Sequence, residues 1–243
     1  MAAEYECVYF IDFDGTITTG DLSLELATYY GGSAYREIEK RYLRREIPIR
    51  EWLSQAVRLL PPDLDLLSSK SLKWAAIRPG FKEFLDFARQ ENSLVIVASD
   101  GFGFYIEPIL KEYGVLEKID YVYRNEIMTG RNNELKVLTP HAHAICPVCG
   151  NCKAAHVVAV KETGKPVIYV GDGSNDRFGA SWSDRICARG KLAEVCKEFN
   201  LTYSLWSDFY DIINIAKPDF KDCAETALCL PRGKGIKEGF DNS

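Results

Sequence analysis

Three short, continuously apolar segments constrain the fold of this chain most strongly. They are residues 7–13, 94–98 and 167–170, and each runs into a polar turn that contains glycine. Apolar runs without polar alternation are typical of strands that are buried on both faces of a parallel sheet. Helical patterns separate the three runs. The sequence therefore predicts an α/β fold with a doubly wound parallel sheet.

The turns that follow these strands carry the chemically interesting residues. They read Asp-Phe-Asp-Gly-Thr at 12–16, Ser-Asp-Gly at 99–101 and Gly-Asp-Gly-Ser-Asn-Asp at 171–176. Ligands of doubly wound sheets bind in the crevice outside the carboxyl ends of the strands. We therefore expect the three turns to line one site.

The segment between the first two strands is too long for a simple crossover. Residues 21–77 have helical apolar spacing, which glycine pairs and prolines interrupt. We predict a small helical cap over residues 19–78, inserted after the first strand and packed over the crevice. Residues 1–18 and 79–230 would form the catalytic core, and residues 231–243 a flexible tail.

Carboxylates dominate the predicted site. Asp12 and Asp14 are two residues apart, so in an extended strand their side chains point the same way, and Asp172 adds a third carboxylate. Such a cluster is repulsive unless a cation lies within it. Oxygen ligands without histidine or thiolate favour Mg²⁺, and Asp176 would support the site.

A phosphate group would also find hydrogen-bond donors here. Thr16, Ser99, Lys153 and the amides of the glycine-containing turns, Gly101 included, are the candidates. One carboxylate can then attack phosphorus to form an aspartyl phosphate, while another protonates the leaving alcohol. The alternative is that these acids only cap turns and helices.

The order and spacing of these residues resemble the four motifs of the haloacid dehalogenase-like superfamily. The resemblance spans about residues 9–178 and rests on residues 12–16, Ser99, Lys153 and 171–176. It implies a Rossmann-like core and a phosphatase or a mutase, because the dehalogenase and ion-pump branches lack a carboxylate at the position of Asp14.

The same resemblance assigns individual roles. It implies that Asp12 is the nucleophile and Asp14 the acid/base, and that Ser99 and Lys153 bind phosphate. Mg²⁺ would be held by Asp12, the backbone carbonyl of Asp14, and Asp172, with Asp176 in support.

The helical cap resembles that of the phosphoserine-phosphatase-like branch, which acts on small phosphorylated metabolites. Asp21 and the cysteines before Lys153 are similar to the methionine-salvage phosphatases that cleave 2-hydroxy-3-keto-5-methylthiopentenyl 1-phosphate. Residues 99–106 and 146–147 are more similar to phosphoethanolamine/phosphocholine and pyridoxal-phosphate phosphatases. The first substrate is preferred here.

Asp100 is the residue expected to discriminate between these substrates. A carboxylate beside the phosphate site would suit a cationic amine and disfavour a neutral thioether tail. Asp21 can play a similar part. The alternative for both residues is a loop or helix cap.

A cysteine cluster directly precedes Lys153. Cys146, Cys149 and Cys152 follow one another at three-residue intervals, with His143 nearby. Three interpretations stay open: a structural Zn²⁺ site, a redox-active pair, and a reduced loop whose thiols pack inward.

The charge of the chain narrows the classes of binding partner. The net charge of −5 and the pI of about 5.4 argue against a nucleic-acid or anionic-membrane partner. No segment approaches the roughly 20 apolar residues that span a bilayer, and no signal pattern begins the chain, so we expect a cytoplasmic enzyme.

Two other functions compete with the phosphatase. A non-catalytic module that binds phosphometabolites would be expected to lose a motif carboxylate, yet Asp12, Asp14 and Asp172 are all present. A phosphomutase would need its phosphoryl group shielded from water, which a cap can provide.

Overall fold

A mostly parallel sheet forms the centre of the molecule. The computed structural model describes residues 5–216. Its strands are β1 (Val8–Ile11), β2 (Leu94–Phe102), β3 (Tyr121–Thr129), β4 (Leu135–Leu138), β5 (Val167–Gly171), β6 (Arg185–Ala188) and β7 (Ser204–Leu205). In the described range they make one sheet in the order β4-β3-β2-β1-β5-β6-β7, in which β4 alone is antiparallel to its neighbour. The predicted fold class is confirmed.

Strand β1 lies in the middle of the sheet. Val8 pairs with Leu94 on one side and with Val167 on the other. All four residues of β1 are buried, since alternate side chains enter separate apolar clusters on the two faces. After β1, the chain adds β2, β3 and β4 on one side of β1, and then adds β5, β6 and β7 on the other side. The strand order therefore reverses at β1, and the carboxyl ends of β1, β2 and β5 meet there.

Helices cover both faces of the sheet. Within the described residues they are α1 (Leu22–Leu43), α2 (Ile49–Val57), α3 (Leu64–Trp74), α4 (Phe81–Gln90), α5 (Gly103–Glu112), α6 (Lys153–Lys161), α7 (Arg177–Ala180), α8 (Gly190–Glu198) and α9 (Phe209–Ala216). No helix in this part of the chain is long and apolar enough to cross a membrane.

The predicted helical insertion consists of α1, α2 and α3. Gly32, at a φ of 51°, interrupts α1 where the sequence has its glycine pair. Thr18 and Ile77 form an isolated antiparallel bridge, which joins the entrance and the exit of the insertion. Apolar residues of the insertion share one cluster with residues of the sheet. The division at residues 19–78 stays a prediction, and residues 217–230 and the predicted tail 231–243 lie outside the described residues.

Strand β2 is longer than the sequence predicts. It continues past Ala98 to Phe102, through the polar turn that was expected to end it. Its pairing with β3 shifts register between Ala98 and Phe102, which is the signature of a bulge. The bulge places residues 99–101 at the site while the strand goes on.

Candidate active site

One cavity of about 310 Å³ lies at the carboxyl ends of β1, β2 and β5. Most predicted site residues line it: Asp12, Asp14, Ser99, Asp100, Gly101, Lys153, Asp172 and Asp176. Side chains of α1 and α2 form much of the opposite wall, namely Leu24, Tyr35, Tyr42, Leu43, Ile49, Trp52 and Leu53. The structure thus brings the strand-end residues together beneath the inserted helices.

Asp12 directly follows β1 and is 8% exposed. Its Oδ1 accepts hydrogen bonds from the Phe13 backbone N–H at 2.8 Å and from the Lys153 ammonium at 2.9 Å. No donor within residues 5–216 engages Oδ2. One oxygen is therefore fixed, and the other is free to bind a cation or to attack an electrophile.

Asp176 is fully buried, and donors occupy both of its carboxylate oxygens. Lys153 at 2.6 Å and the Tyr169 hydroxyl at 2.8 Å donate to Oδ1. The backbone N–H groups of Asp172 at 3.0 Å and Gly173 at 2.8 Å donate to Oδ2. Because a carboxylate has about four lone-pair sites, Asp176 has none left for a metal. This arrangement suits the expected role of Asp176, which is to support the metal site.

Asp172 keeps free coordination capacity. Its Oδ1 accepts a hydrogen bond from the Thr16 hydroxyl at 2.7 Å. Thr16 is fully buried and is directed at this carboxylate, so it does not line the cavity. Gly15, at a φ of 75°, leaves the room that Asp172 needs, since a Cβ there would overlap Oδ2. The turn after β1 is thereby built around Asp172.

The carboxylates form a strongly coupled electrostatic group. Burial, and next the charge of Asp176, raise the pKa of Asp12 well above its usual range. Burial and Asp176 also raise the pKa of Asp172 to about 6. Burial lowers the pKa of Lys153, but Asp12 and Asp176 outweigh this and raise it, so the ammonium stays charged.

These groups fit a hard divalent cation. Asp12, Asp172 and Asp176 each place one carboxylate oxygen within 4.8 Å of the others. They are the one group of potential metal ligands found in the described part of the chain. The donor set contains oxygen alone, and Asp12 and Asp172 retain unoccupied oxygens. This is the chemistry that Mg²⁺ prefers.

Donors for a phosphate group lie beside the carboxylates. Ser99 Oγ accepts the Gly101 backbone N–H at 2.9 Å, which leaves the hydroxyl hydrogen of Ser99 available for a ligand. Lys153 begins α6 and lines the same cavity. A serine hydroxyl and an ammonium thus face the space next to Asp12.

Asp14 is held at both oxygens. Oδ1 accepts the Leu22 backbone N–H at 3.0 Å, and Oδ2 accepts the Tyr105 hydroxyl at 2.5 Å. Burial, and next the nearby Asp21, raise the pKa of Asp14 well above its usual range. A carboxyl group in this environment can carry a proton near neutral pH.

Asp100 lines the cavity but is engaged by the loop that precedes Lys153. Its Oδ1 accepts the Asn151 backbone N–H at 2.9 Å, and its carbonyl accepts Asn125 Nδ2 at 2.7 Å. Asp21 likewise caps α1, because it accepts the Leu24 backbone N–H at 2.8 Å. Both residues make the capping contacts that were the alternative to amine recognition.

Asn151 is an important residue that the sequence did not reveal. Its Nδ2 donates to the carbonyls of Ser99 at 3.0 Å and Tyr123 at 2.9 Å, and its Oδ1 pairs with His156 Nε2 at 2.7 Å. It joins β2 and β3 to the first turn of α6. A loop asparagine usually indicates only a turn, so no sequence signal pointed to this role.

Arg78 is a second residue that sequence analysis missed. Its guanidinium donates to the carbonyls of Gly15 at 2.6 Å, Thr16 at 2.8 Å and Thr18 at 3.2 Å. Arg78 is 8% exposed and therefore acts as an internal clamp. It holds the turn between Asp12 and the inserted helices.

The cysteine loop that precedes Lys153 lacks the ligand geometry expected of a metal site. Within residues 5–216, Cys146, Cys149, Cys152 and His143 form no cluster of potential ligand atoms that lie within 4.8 Å of one another. The geometry does not support the Zn²⁺ interpretation. Burial raises the pKa of Cys152, which disfavours the reactive thiolate.

The loop instead connects the inserted helices to Lys153. Arg50 of α2 donates to the carbonyls of Cys149 at 2.9 Å and Cys146 at 2.8 Å. Cys149 and Cys152 are buried in the shared apolar cluster. The structure favours the interpretation of a reduced loop whose thiols pack inward.

Known proteins resemble this chain in sequence and in fold. The model of the haloacid dehalogenase-like hydrolase family matches residues 9–180. A 2-hydroxy-3-keto-5-methylthiopentenyl-1-phosphate phosphatase of Bacillus cereus (strain AH820) is 32% identical over 223 residues, 90% of this chain and 98% of the relative. The enzyme of that name from Bacillus cereus (strain G9842) is 33% identical and covers 86% and 94%.

Solved structures show the same fold at lower identity. A substrate-bound phosphoserine phosphatase complex superposes with a TM-score of 0.66 at 18% identity, covering 87% of this chain and 99% of the other. A phosphoserine phosphatase from T. onnurineus in complex with NDSB-201 has a TM-score of 0.66 at 16% identity, with 89% and 97% covered. The resemblance expected from the motifs is confirmed. The chain therefore belongs to the haloacid dehalogenase-like hydrolase family and is a phosphatase.

Proposed function

We propose that this phosphatase is a Mg²⁺-dependent phosphomonoesterase that forms an aspartyl phosphate on Asp12. The observation that carries the proposal is the state of the Asp12 carboxylate. Lys153 and a backbone amide hold Oδ1, whereas Oδ2 has no donor within residues 5–216, and Asp12 lines the cavity. A fixed carboxylate with one free oxygen is suited to in-line attack on phosphorus.

The phosphoryl group would lie between Asp12, Ser99 and Lys153. The Ser99 hydroxyl and the Lys153 ammonium donate hydrogen bonds to its oxygens and offset their charge. Asp12 and Asp172, with the backbone carbonyl of Asp14, would hold Mg²⁺. When bound, the ion supplies positive charge that offsets the repulsion between the carboxylates and the phosphate.

Asp14 would move the proton in both half-reactions. In the first, a bond forms between Asp12 and phosphorus, the ester bond to the leaving oxygen breaks, and that oxygen takes a proton from Asp14. In the second, water attacks phosphorus and gives its proton to Asp14 while the bond to Asp12 breaks. The net reaction converts a phosphomonoester and water into an alcohol and phosphate.

The preferred substrate is 2-hydroxy-3-keto-5-methylthiopentenyl 1-phosphate of methionine salvage, in the cytoplasm. The cavity volume of about 310 Å³ suits a small metabolite. Leu24, Ile49 and Leu53 on its cap side suit an apolar methylthio tail. The relatives of 32–33% identity carry the name of that activity.

A phosphate ester with a nitrogen that can be cationic is the second candidate, namely phosphoethanolamine, phosphocholine or pyridoxal phosphate. Asp21, Glu39 and Asp100 all border the cavity, and carboxylates attract a cation. Against it, the Asp100 and Asp21 carboxylates already accept backbone N–H groups. This ranks the amine below the enol phosphate.

The catalytic part of the proposal is tested with p-nitrophenyl phosphate. We expect Mg²⁺-dependent release of phosphate, which Asp12→Asn reduces by at least about 10³-fold. Asp65→Asn, on an exposed turn of α3, is the matched control and should behave like the unaltered enzyme. Brief incubation with ³²P-labelled substrate and acid quenching should label the unaltered protein but not Asp12→Asn. Full turnover by Asp12→Asn would refute the mechanism.

The substrate is tested with a panel of phosphate esters. It contains the enol phosphate, phosphoethanolamine, phosphocholine, pyridoxal phosphate and phosphoserine, each assayed with the unaltered enzyme and with Asp100→Asn. We expect the highest kcat/KM for the enol phosphate and an equal loss for every ester in the variant, because Asp100 acts on the Lys153 loop. A preference for an amine that Asp100→Asn removes would select the second candidate. Transfer of phosphate to a second hydroxyl without release would instead indicate a mutase.

A further inference from the structure

Tyr105 has a contact that the proposed mechanism does not use. It lies in the first turn of α5, its side chain is fully buried, and its hydroxyl donates to Asp14 Oδ2 at 2.5 Å. The same hydroxyl lies 2.8 Å from Ser23 Oγ. A hydroxyl has a single hydrogen, so Ser23 must donate to Tyr105 when Tyr105 donates to Asp14. The result is a directed chain of hydrogen bonds from Ser23 through Tyr105 to Asp14.

The tyrosine ring is held firmly in this position. It packs against Phe104, Phe13 and Phe102, with centroid distances of 5.1, 6.1 and 6.4 Å. The hydroxyl therefore approaches Asp14 from a fixed direction. The Leu22 backbone N–H holds the other oxygen, so the plane of the Asp14 carboxyl group is defined by two donors.

Neighbouring backbone leaves room for this pair. Gly101 lies against both partners, and a Cβ at this position would overlap the Tyr105 hydroxyl and lie 2.7 Å from Asp14 Oδ2. The absence of a side chain at Gly101 is thus a requirement of the Asp14–Tyr105 contact. This requirement is separate from the role of the same turn in binding phosphate.

We propose that Tyr105 is a positioning residue for proton transfer by Asp14, a role that rests on the proposed function. When the ester bond breaks and the leaving oxygen takes the proton, Asp14 becomes a carboxylate. Its hydrogen bond from Tyr105 then has a charged acceptor and is stronger than before the transfer. An interaction that strengthens along the reaction accelerates it.

Ser23 and Leu22 extend this role to the inserted helices. Both belong to the first turn of α1, whereas Tyr105 belongs to α5 of the core. The acid/base carboxyl group is therefore oriented jointly by the insertion and the core. Ser23 acts on Asp14 through Tyr105. Removing the Ser23 hydroxyl should therefore have the same kind of effect on activity as removing the Tyr105 hydroxyl, but a smaller one.

Leaving-group dependence tests the proposal. p-Nitrophenolate departs with little need of protonation, whereas phenolate and alkoxides need an acid. We expect Tyr105→Phe to lower kcat/KM for phenyl phosphate about tenfold or more, and for p-nitrophenyl phosphate by less than about threefold. Tyr113→Phe is the matched control, because Tyr113 follows α5 and its exposed hydroxyl donates to the Ala75 carbonyl, away from Asp14.

The outcomes separate the possible failures. Equal losses with both esters, or losses no larger than those of Tyr113→Phe, overturn the role of Tyr105. If Tyr105→Phe does not fold, as judged by circular dichroism, Ser23→Ala decides, and an unchanged ratio between the two esters overturns the proposal. Full activity of Asp14→Asn on phenyl phosphate would instead refute the proposed function itself.

Discussion

Lys153 donates a hydrogen bond of 2.6 Å to Asp176, and both side chains are almost completely buried. The two residues belong to different elements, because Lys153 begins α6 and Asp176 lies in the turn after β5. Lys153 also contacts Asp12, the residue that directly follows β1, at 2.9 Å. One ion-paired group thus connects the ends of two strands with the start of a helix.

Asp176→Asn should destabilise the protein and inactivate it. An amide can neither accept four hydrogen bonds nor balance the buried ammonium of Lys153. We expect a loss of about 3 kcal/mol or more in the free energy of unfolding, measured by urea denaturation. Tyr169→Phe removes only one of the four donors, so its loss should be smaller, about 2 kcal/mol. Unaltered stability of Asp176→Asn would contradict the supporting role assigned to this carboxylate.

Gly101→Ala should reduce activity while the fold persists. The new Cβ would displace Tyr105 and Asp14 from their contact. Displacement of a catalytic group by about 1 Å can lower the rate on the order of 100-fold. The measurement is kcat/KM together with circular dichroism. Gly130→Ala is the control, since its Cβ would come no closer than 3.3 Å to Lys136 Cε, the movable end of a long side chain. Equal activity of the two variants would contradict the prediction.

Mg²⁺ should raise the thermal stability of the metal-free protein. At a concentration of 100 times Kd, a ligand of the folded state adds about 2.7 kcal/mol. For a chain of this size the melting temperature should rise by roughly 5–10 °C. Asp172→Asn should abolish most of the shift in differential scanning fluorimetry, whereas Asp65→Asn should keep it. A full shift in Asp172→Asn would show that Mg²⁺ binds elsewhere.

His156 should make stability fall in mild acid. Burial, and next the nearby His141, lower the pKa of His156 to about 4. An unfolded histidine has a pKa near 6.5, so between about pH 6.5 and 4 the unfolded state binds a proton that the folded state does not. The contribution of His156 to stability is therefore lost as the pH falls through this window, by about 2 kcal/mol at pH 5.

The comparison of the unaltered chain with His156→Gln isolates this effect. Unfolding in urea at pH 7.5 and at pH 5 gives four free energies of unfolding. The free energy of unfolding of the unaltered protein minus that of the variant should be about 2 kcal/mol smaller at pH 5 than at pH 7.5. A difference that stays constant between the two pH values would mean that His156 titrates normally.

The three apolar strands at the centre of the sheet were predictable because local sequence determines them, although β2 continues past its predicted end to Phe102. An apolar run such as Val8–Ile11 must be buried on both faces, and parallel neighbours bring their carboxyl ends to one edge. The grouping of Asp12, Ser99 and Asp172 at one cavity follows from these two facts. The sequence by itself therefore determined the fold class, the family and the set of groups at the strand ends.

The tertiary structure alone decided what these groups contact. Tyr105 reaches Asp14 across 91 positions of the chain, Arg78 reaches Thr16 across 62, and Asn151 engages Asp100 across 51. Such contacts depend on the register of the sheet and on how each helix docks, to within about an ångström. Residue type and spacing carry no information at that precision, because hydrogen bonds weaken steeply with small changes in distance and angle.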